Sequence, residues 1–215
     1  VDIKAKKSLG QNFLIDRNVL QKIVDTVDID KKEILEIGPG SGNLTTYILK
    51  KNPKKVYVIE KDKDLSFLLE EKFNDEITII NDDVLKISEN KISKEKLIVF
   101  GNLPYNISTE ILSKWIMGIG NNFWFENLVL MFQKEVADRI IAKSNNSKYG
   151  RLSILSNWKL NVKKILDIKP ESFSPRPKIN SSLLLFTPKK SFFDIKNVNN
   201  LEMLTRIFFS QRRKM

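Results

Sequence analysis

The stretch that decides the fold runs from Glu33 to Lys51 and reads "EILEIGPGSGNLTTYILKK". It begins as an apolar run and breaks at Gly38, Gly40 and Gly42. It then resumes with the spacing of a helix. Strand, glycine turn and helix, in that order, form the first half of a βαβ unit. Downstream the pattern repeats. "KVYVIE" (55–60) is β-branched and aromatic and reads as a second strand, and "KDLSFLLEEKF" (63–73) has the i, i+3, i+4 spacing of an amphipathic helix. "EITIIN" (76–81) and "EKLIVFGN" (95–102) read as third and fourth strands. "STEILSKWIM" (108–117) reads as a helix opened by a capping pair. "NLVLMF" (127–132) is a fifth strand and "QKEVADRIIAK" (133–143) a helix. Upstream, "DRNVLQKIVDTV" predicts a helix with Asp16 as its N-cap. Nearly continuously apolar strands alternating with helices predict a parallel sheet covered on both faces, the doubly wound, Rossmann-like α/β class.

After Tyr149 the alternation changes. "RLSILSNW" reads as a helix, and "LNVKKILDI" and "INSSLLLF" read as two strands that join as an antiparallel pair around "KPESFSPRPK". "NNLEMLTRIFFSQRRK" opens a further helix. These segments divide the chain into an α/β domain over 1–187 and the beginning of a helical C-terminal domain over 188–215.

Composition narrows the chemistry. At 215 residues, 41% hydrophobic and 9% aromatic, the chain supports a packed core. No apolar run approaches the ~20 residues that span a bilayer, and no secretory pattern is present. The expectation is a cytoplasmic protein with no membrane partner. With no cysteine, disulfides and thiolate metal sites are excluded; with no histidine, Ser-His-Asp catalysis and imidazole ligation are excluded too. No metal is expected. The net charge of +11 favours a polyanionic partner, most often nucleic acid. Lysine is common throughout, so charge alone does not decide. Lys4, Lys6, Lys7, Arg151, Lys178, Arg212 and Arg213 are candidate phosphate contacts, each equally readable as solvated surface.

In open α/β sheets, ligands lie beyond the carboxyl ends of the strands. Four features fall there. "EIGPGSG" brings Gly38 and Gly40, whose backbone lets a ligand approach closely; a tight turn without ligand is the plainer alternative. Glu60 ends the second strand, 22 positions after Gly38, where a carboxylate accepts from ribose hydroxyls. "NDDVL" places Asp82 and Asp83 at the third strand end, as acceptors for an adenine amino group or as helix-cap charges. "GNLPYNIST" (101–109) follows the fourth strand. Together they describe a site for a nucleoside cofactor with no phosphate grip, and the chain contains no P-loop pattern.

The sequence resembles the class I methyltransferases that use S-adenosyl-L-methionine, and within them the ribosomal RNA adenine dimethyltransferase family. The resemblance rests on "LGQNFL" (9–14), "EIGPGSG" (36–42), "VIEKDKDL" (58–65), "DDVL" (82–85), "FGNLPYNIST" (100–109), "FQKEVADRI" (132–140), "YGRLS" (149–153) and "FSPRPKINSS" (173–182). It covers nearly the whole chain. It implies a cofactor site of Asn12, Leu14, Gly38, Gly40, Glu60, Asp83 and Asn102. "QNFL" and "NLPY" look like the branch acting on small-subunit RNA during ribosome assembly, on two adjacent adenosines. The alternatives are the large-subunit enzymes of macrolide resistance, a non-catalytic RNA-binding assembly factor and a DNA adenine methyltransferase. The partner expected is small-subunit ribosomal RNA or its pre-ribosomal particle, bound by a monomer. The family continues past "QRRKM" into a small helical domain.

That resemblance gives "NLPY" a chemistry. An adenine amine is a poor nucleophile because its lone pair is delocalised into the ring. A pair of acceptors that hold its hydrogens out of conjugation restores the lone pair. The Asn102 side-chain oxygen and a backbone carbonyl near Leu103 or Pro104 can supply them, with Pro104 fixing the turn. Tyr105 can stack on the flipped base, and Phe173 of "SFSPRPK" on its opposite face. Catalysis of this kind is positioning plus electrostatics.

Overall fold

Five apolar segments pair in parallel, and the central ones are buried on both sides. The computed structural model describes residue 6, residues 10–120 and residues 122–210. Phe13–Leu14 form β1, Glu33–Ile37 β2, Lys55–Ile59 β3, Thr78–Ile80 β4, Leu97–Asn102 β5 and Phe125–Gln133 β6. Leu160–Ile168 form β7, Phe173–Ser174 β8 and Ser181–Pro188 β9. The helices are α1 (Arg17–Val24), α2 (Asn43–Leu49), α3 (Lys63–Phe73), α4 (Ser108–Gly118), α5 (Lys134–Ile141), α6 (Arg151–Lys159) and α7 (Val198–Ser210). The main sheet has seven strands in the order β4-β3-β2-β5-β6-β9-β7. β2 pairs in parallel with both β3 and β5, and β5 in parallel with β6. β9 is antiparallel to both β6 and β7.

Alternation along each strand feeds two cores. Leu35 and Ile37 of β2 and Val99 of β5 face one side, where Ile111, Leu112 and Trp115 of α4 and Ile140 of α5 cover them. Ile34 of β2, Val58 of β3 and Phe100 of β5 face the other, under Leu20 and Ile23 of α1, Ile48 of α2 and Leu69 and Phe73 of α3. Each such side chain contributes roughly 1.5–3 kcal/mol by leaving water. The chain enters at central β2, runs out to β4, then returns to β5 on the other side of β2. The crevice between the carboxyl ends of β2 and β5 is therefore the switch point where this architecture binds ligands.

Two expectations change. The predicted capping pair of α4 does not form: Ile107 holds the cap position with no side-chain hydrogen bond. Ser108 lies inside the helix and donates back to the Tyr105 carbonyl at 3.3 Å. The preceding turn sets this start, because Ile107 N–H already donates to the Pro104 carbonyl at 3.1 Å. The third strand is shorter than read, since residues 74–76 form a 3-10 turn. A feature absent from the sequence reading is the two-residue ladder of β1 with β8, which pairs Phe13 with Ser174 and Leu14 with Phe173. Among the described residues no helix is long and apolar enough to cross a membrane.

Candidate active site

The β2–α2 turn needs its glycines for two different reasons. Gly38, Gly40 and Gly42 have φ of 64°, 59° and 73°, the left-handed region that L side chains avoid. Their surroundings differ. A Cβ on Gly40 would lie 2.7 Å from the Phe13 ring, against β1; one on Gly42 would lie 2.4 Å from the Phe73 ring of α3. Gly40 thus lets the N-terminal segment close over the turn, and Gly42 lets α3 pack beneath it.

This turn is one wall of a cavity of about 230 Å³. Residues 10–14 form the opposite wall, and the ends of β3, β4 and β5 close the rest. Asn12, Leu14, Gly38, Gly40, Glu60, Asp83, Asn102, Leu103, Pro104 and Tyr105 all line it. The N-terminal wall is fixed by side chains from the sheet side. Asn102 Nδ2 donates to the Asn12 carbonyl at 2.8 Å, and Asn43 Nδ2 to the Leu14 carbonyl at 2.8 Å. Lys6 bonds Asp62 and Asp64, while Gln11 Nε2 donates to Asp62 Oδ2 at 3.1 Å.

Glu60 is 6% exposed. Its carboxylate accepts the Gly40 N–H at 3.2 Å and the Asp62 N–H at 2.9 Å. Burial pushes its carboxyl above the ordinary range, and those two N–H groups oppose the shift. Asp83 Oδ2 pairs with Lys61 Nζ at 2.8 Å and Oδ1 accepts the Leu85 N–H at 3.0 Å. The Lys61 ammonium holds its carboxyl below the usual range. Both Asp83 oxygens thus have donors already, so an added amino group shares them. Asp82 also lines the cavity, is exposed, and its Oδ1 accepts the Asp83 N–H at 2.7 Å.

Around "NLPY" the donors and acceptors are sorted. The Asn102 amide nitrogen is used on Asn12, which leaves Oδ1 with no donor among the described residues. The Pro104 carbonyl is taken by Ile107 N–H, so the Leu103 carbonyl is the freer of the two. The Leu103 side chain is 1% exposed and anchors the turn in the core. The Tyr105 hydroxyl hydrogen-bonds Ser181 at the start of β9. Burial raises that hydroxyl's pKa.

Phe173 is not on the cavity wall. It is 3% exposed and packs with Leu14, Met131 and Leu183, because the β1–β8 ladder turns its ring into the core. Two of the candidate phosphate contacts are also engaged otherwise. Lys6 bonds Asp62 and Asp64, and Arg151 pairs with Glu202 of α7. Lys178 is exposed. Lys4, Lys7, Arg212 and Arg213 lie outside the described residues.

Sequence reasoning missed Glu36, Thr45 and Asn43. Glu36 lines the cavity and is 2% exposed. It accepts the Thr45 hydroxyl at 2.6 Å. Burial pushes its carboxyl up to about 7, against the Thr45 hydrogen bond and with the help of neighbouring Glu60. The signal was present, since a glutamate at an inward position of "EILEIG" has to be explained.

The doubly wound sheet, with a glycine turn at its switch point and carboxylates at successive strand ends, suits a nucleoside cofactor, and similarity to known proteins places the chain in the class of S-adenosylmethionine-dependent methyltransferases. Within that class the chain belongs to the ribosomal RNA adenine dimethylase family, whose pattern matches residues 2–215. Ribosomal RNA small subunit methyltransferase A of Pelagibacter ubique is 78% identical over 99% of this chain and 81% of its own length. The crystal structure of a dimethyladenosine transferase from Plasmodium falciparum superposes with a TM-score of 0.80 at 31% identity, over 93% of this chain and 71% of that one. The 23S rRNA methyltransferase ErmE shares the fold, with a TM-score of 0.72 at 23% identity over 93% of this chain and 79% of that one.

Proposed function

We propose that this protein transfers methyl groups from S-adenosyl-L-methionine to the exocyclic amines of two adjacent adenosines in small-subunit ribosomal RNA, giving N6,N6-dimethyladenosine. The cavity suits such a donor: a glycine turn in left-handed geometry, a buried carboxylate for ribose and a second carboxylate at the next strand end. In this reading Gly38, Gly40, Asn12, Leu14 and Asn102 surround it, Glu60 accepts from its ribose and Asp83 from its adenine. When bound, it supplies an electrophilic methyl group. The chain's own residues do the rest. Asn102 Oδ1 and the Leu103 carbonyl accept the two amine hydrogens and turn the lone pair toward the donor. Pro104 fixes that turn, and Tyr105 stacks on the base. Phe173 supports the wall from the core through its ladder with Leu14 and does not meet the base itself.

The observation that most supports this reading is the bond from Asn102 Nδ2 to the Asn12 carbonyl, which commits the amide nitrogen and presents the oxygen. The small-subunit branch is favoured by the 78% identical relative named for that subunit. The substrate is met in the cytoplasm, as RNA or as a pre-ribosomal particle, by a monomer. Residues 1–187 make the catalytic domain, and α7 opens the helical domain that follows. The test is to incubate the purified protein with labelled S-adenosylmethionine and either small-subunit particles or large-subunit RNA, then analyse nucleosides. Dimethyladenosine in the small-subunit sample alone is expected. Label only in large-subunit RNA, or none in either, overturns the reading.

A further inference from the structure

Two of the carboxyl groups that line the cavity, Glu60 and Glu36, are buried, and burial raises the pKa of both, but they differ in the donors they meet. Glu60 accepts two backbone N–H groups, which favour its charged form and oppose the effect of burial. Glu36 is 2% exposed, and its one hydrogen-bond partner among the described residues is the neutral Thr45 hydroxyl, itself fully buried. Among the described residues Glu36 forms no ion pair, and the one cation that acts on it, Lys72, does so through space. A buried carboxylate without a cation or backbone donor is strongly disfavoured, and it resolves this by holding a proton. A cation brought into the cavity reverses that balance.

Resting on the reading of this cavity as the S-adenosylmethionine site, we infer that Glu36 is a specificity-determining residue that ionises when the cationic cofactor binds and takes a proton back once the methyl has left. The charges are simple. S-adenosylmethionine carries a sulfonium, an ammonium and a carboxylate, net +1. S-adenosylhomocysteine has lost the sulfonium charge and is net zero. Each methyl transfer to an amine releases one proton, since a neutral amine remains neutral after losing H⁺ and gaining CH₃. The cavity therefore loses one positive charge per turnover, and Glu36 then has less reason to stay ionised. Proton exchange at Glu36 so tightens the hold on the methyl donor relative to its product.

The charged groups that face Glu36 agree with this role. From the end of β3, Glu60 disfavours its ionisation; from α3, Lys72 favours it. The Lys72 ammonium sits behind the glycine turn, 3.0 Å from the Ser41 carbonyl and 3.4 Å from that of Gly42. From α2 only the Thr45 hydroxyl reaches it. Further along the cavity, Lys61 and Asp83 neutralise each other, and Asp62 is paired with Lys6. None of these replaces a cation at Glu36, whose resting pKa of about 7 places the exchange near neutral pH.

Isothermal titration calorimetry tests this directly. S-adenosylmethionine is titrated into the protein at pH 6.5 in buffers of different ionisation enthalpy, and the slope of the observed enthalpy gives protons released per binding event. Release of at least about half a proton is expected, with a smaller release for S-adenosylhomocysteine. In Glu36→Gln the release should vanish. In Lys72→Met, which keeps the carboxyl but removes the nearby cation, the pH of maximal release should rise. Binding without proton release at pH 6 to 7.5 overturns the inference and leaves the methyltransferase reading standing. Unchanged release in Glu36→Gln assigns the proton to another group and overturns it too. Absence of any binding refutes the cofactor reading itself, so the two failures are distinct.

Discussion

At the scale of single residues, the amide of Asn102 carries the most weight, because it does two things with its two ends. Its nitrogen holds the Asn12 carbonyl at 2.8 Å, and in the proposed mechanism its oxygen accepts from the target amine. Asn102→Ala should lower the single-turnover rate of dimethyladenosine formation by about 10²-fold or more, as loss of one positioned transition-state hydrogen bond does, and should also loosen the wall at Asn12. Near-normal rates in that variant would reduce Asn102 to a turn residue. Tyr105→Phe keeps the ring and most of the activity. It also strands the fully buried Ser181 hydroxyl, so a stability loss of roughly 1–3 kcal/mol in urea unfolding accompanies it. Tyr105→Ala falls below it because a base–aromatic stack is worth roughly 1–3 kcal/mol. Glu36 gives a pH dependence of opposite sign to most carboxylates. Its folded pKa, about 7, lies above the ordinary 4.5, so the folded state binds more protons between those values. Stability is therefore full below about pH 4.5 for this group and declines as pH rises toward 7 and slightly beyond. Urea midpoints of wild type and Glu36→Gln should converge in acid and separate by pH 8 in favour of the variant. A constant difference across that range would show that folding does not shift the Glu36 pKa.

At the scale of elements, the glycine turn separates affinity from stability. Gly40→Ala puts a methyl 2.7 Å from the Phe13 ring in a backbone conformation that costs an L residue roughly 1–2 kcal/mol. Phe13 belongs to a two-residue ladder and can shift, so the cavity wall yields and S-adenosylmethionine affinity should fall at least about tenfold by calorimetry. Gly42→Ala meets Phe73 and Leu69 of α3, which are packed in the core. Overpacking there should cost roughly 1–3 kcal/mol of stability, read by urea unfolding. Equal effects of both substitutions on affinity would contradict this division. These elements also mark what the sequence could reveal. The bounds of α3 were legible to the residue, because Asp62 caps it and its apolar spacing is unbroken. The central strands were legible because burial on both faces leaves them almost wholly apolar. The β1–β8 ladder was not, since two residues against two carry no periodicity, and its pairing spans most of the chain. For the same reason Phe173 read as an exposed wall of a proline-rich loop when its ring is a core residue. Ser108 read as a cap because a serine before a helix usually is one, whereas here the Pro104–Ile107 turn had already fixed the start.

At the scale of the whole molecule, the net charge of +11 is a statement about an anionic partner, and the ion pairs determine which cations are free to make it. Affinity for ribosomal RNA should fall linearly in log K against log salt, with a slope of about −0.7 to −0.9 per phosphate neutralised. Not every lysine contributes. Lys6 is bonded to Asp62 and Asp64, and Asp62 in turn reaches Glu60 through its N–H. Lys6→Ala should therefore leave the salt slope unchanged and instead weaken S-adenosylmethionine binding by releasing the N-terminal wall. Lys178 is exposed and has no ion pair among the described residues. It follows β8 and precedes β9, whose first residue, Ser181, holds the Tyr105 hydroxyl, so it sits in the loop leading to the base-stacking ring. Lys178→Ala should lower RNA affinity and flatten the slope by about one phosphate's share, with cofactor affinity unchanged. Fluorescence anisotropy of a labelled small-subunit RNA hairpin across a potassium chloride series, beside calorimetry with the cofactor, reads both quantities in both variants. If Lys6→Ala flattens the slope and Lys178→Ala does not, the RNA approaches across the N-terminal wall and not along the β8–β9 loop. An RNA affinity independent of salt would mean that the charge serves some other partner.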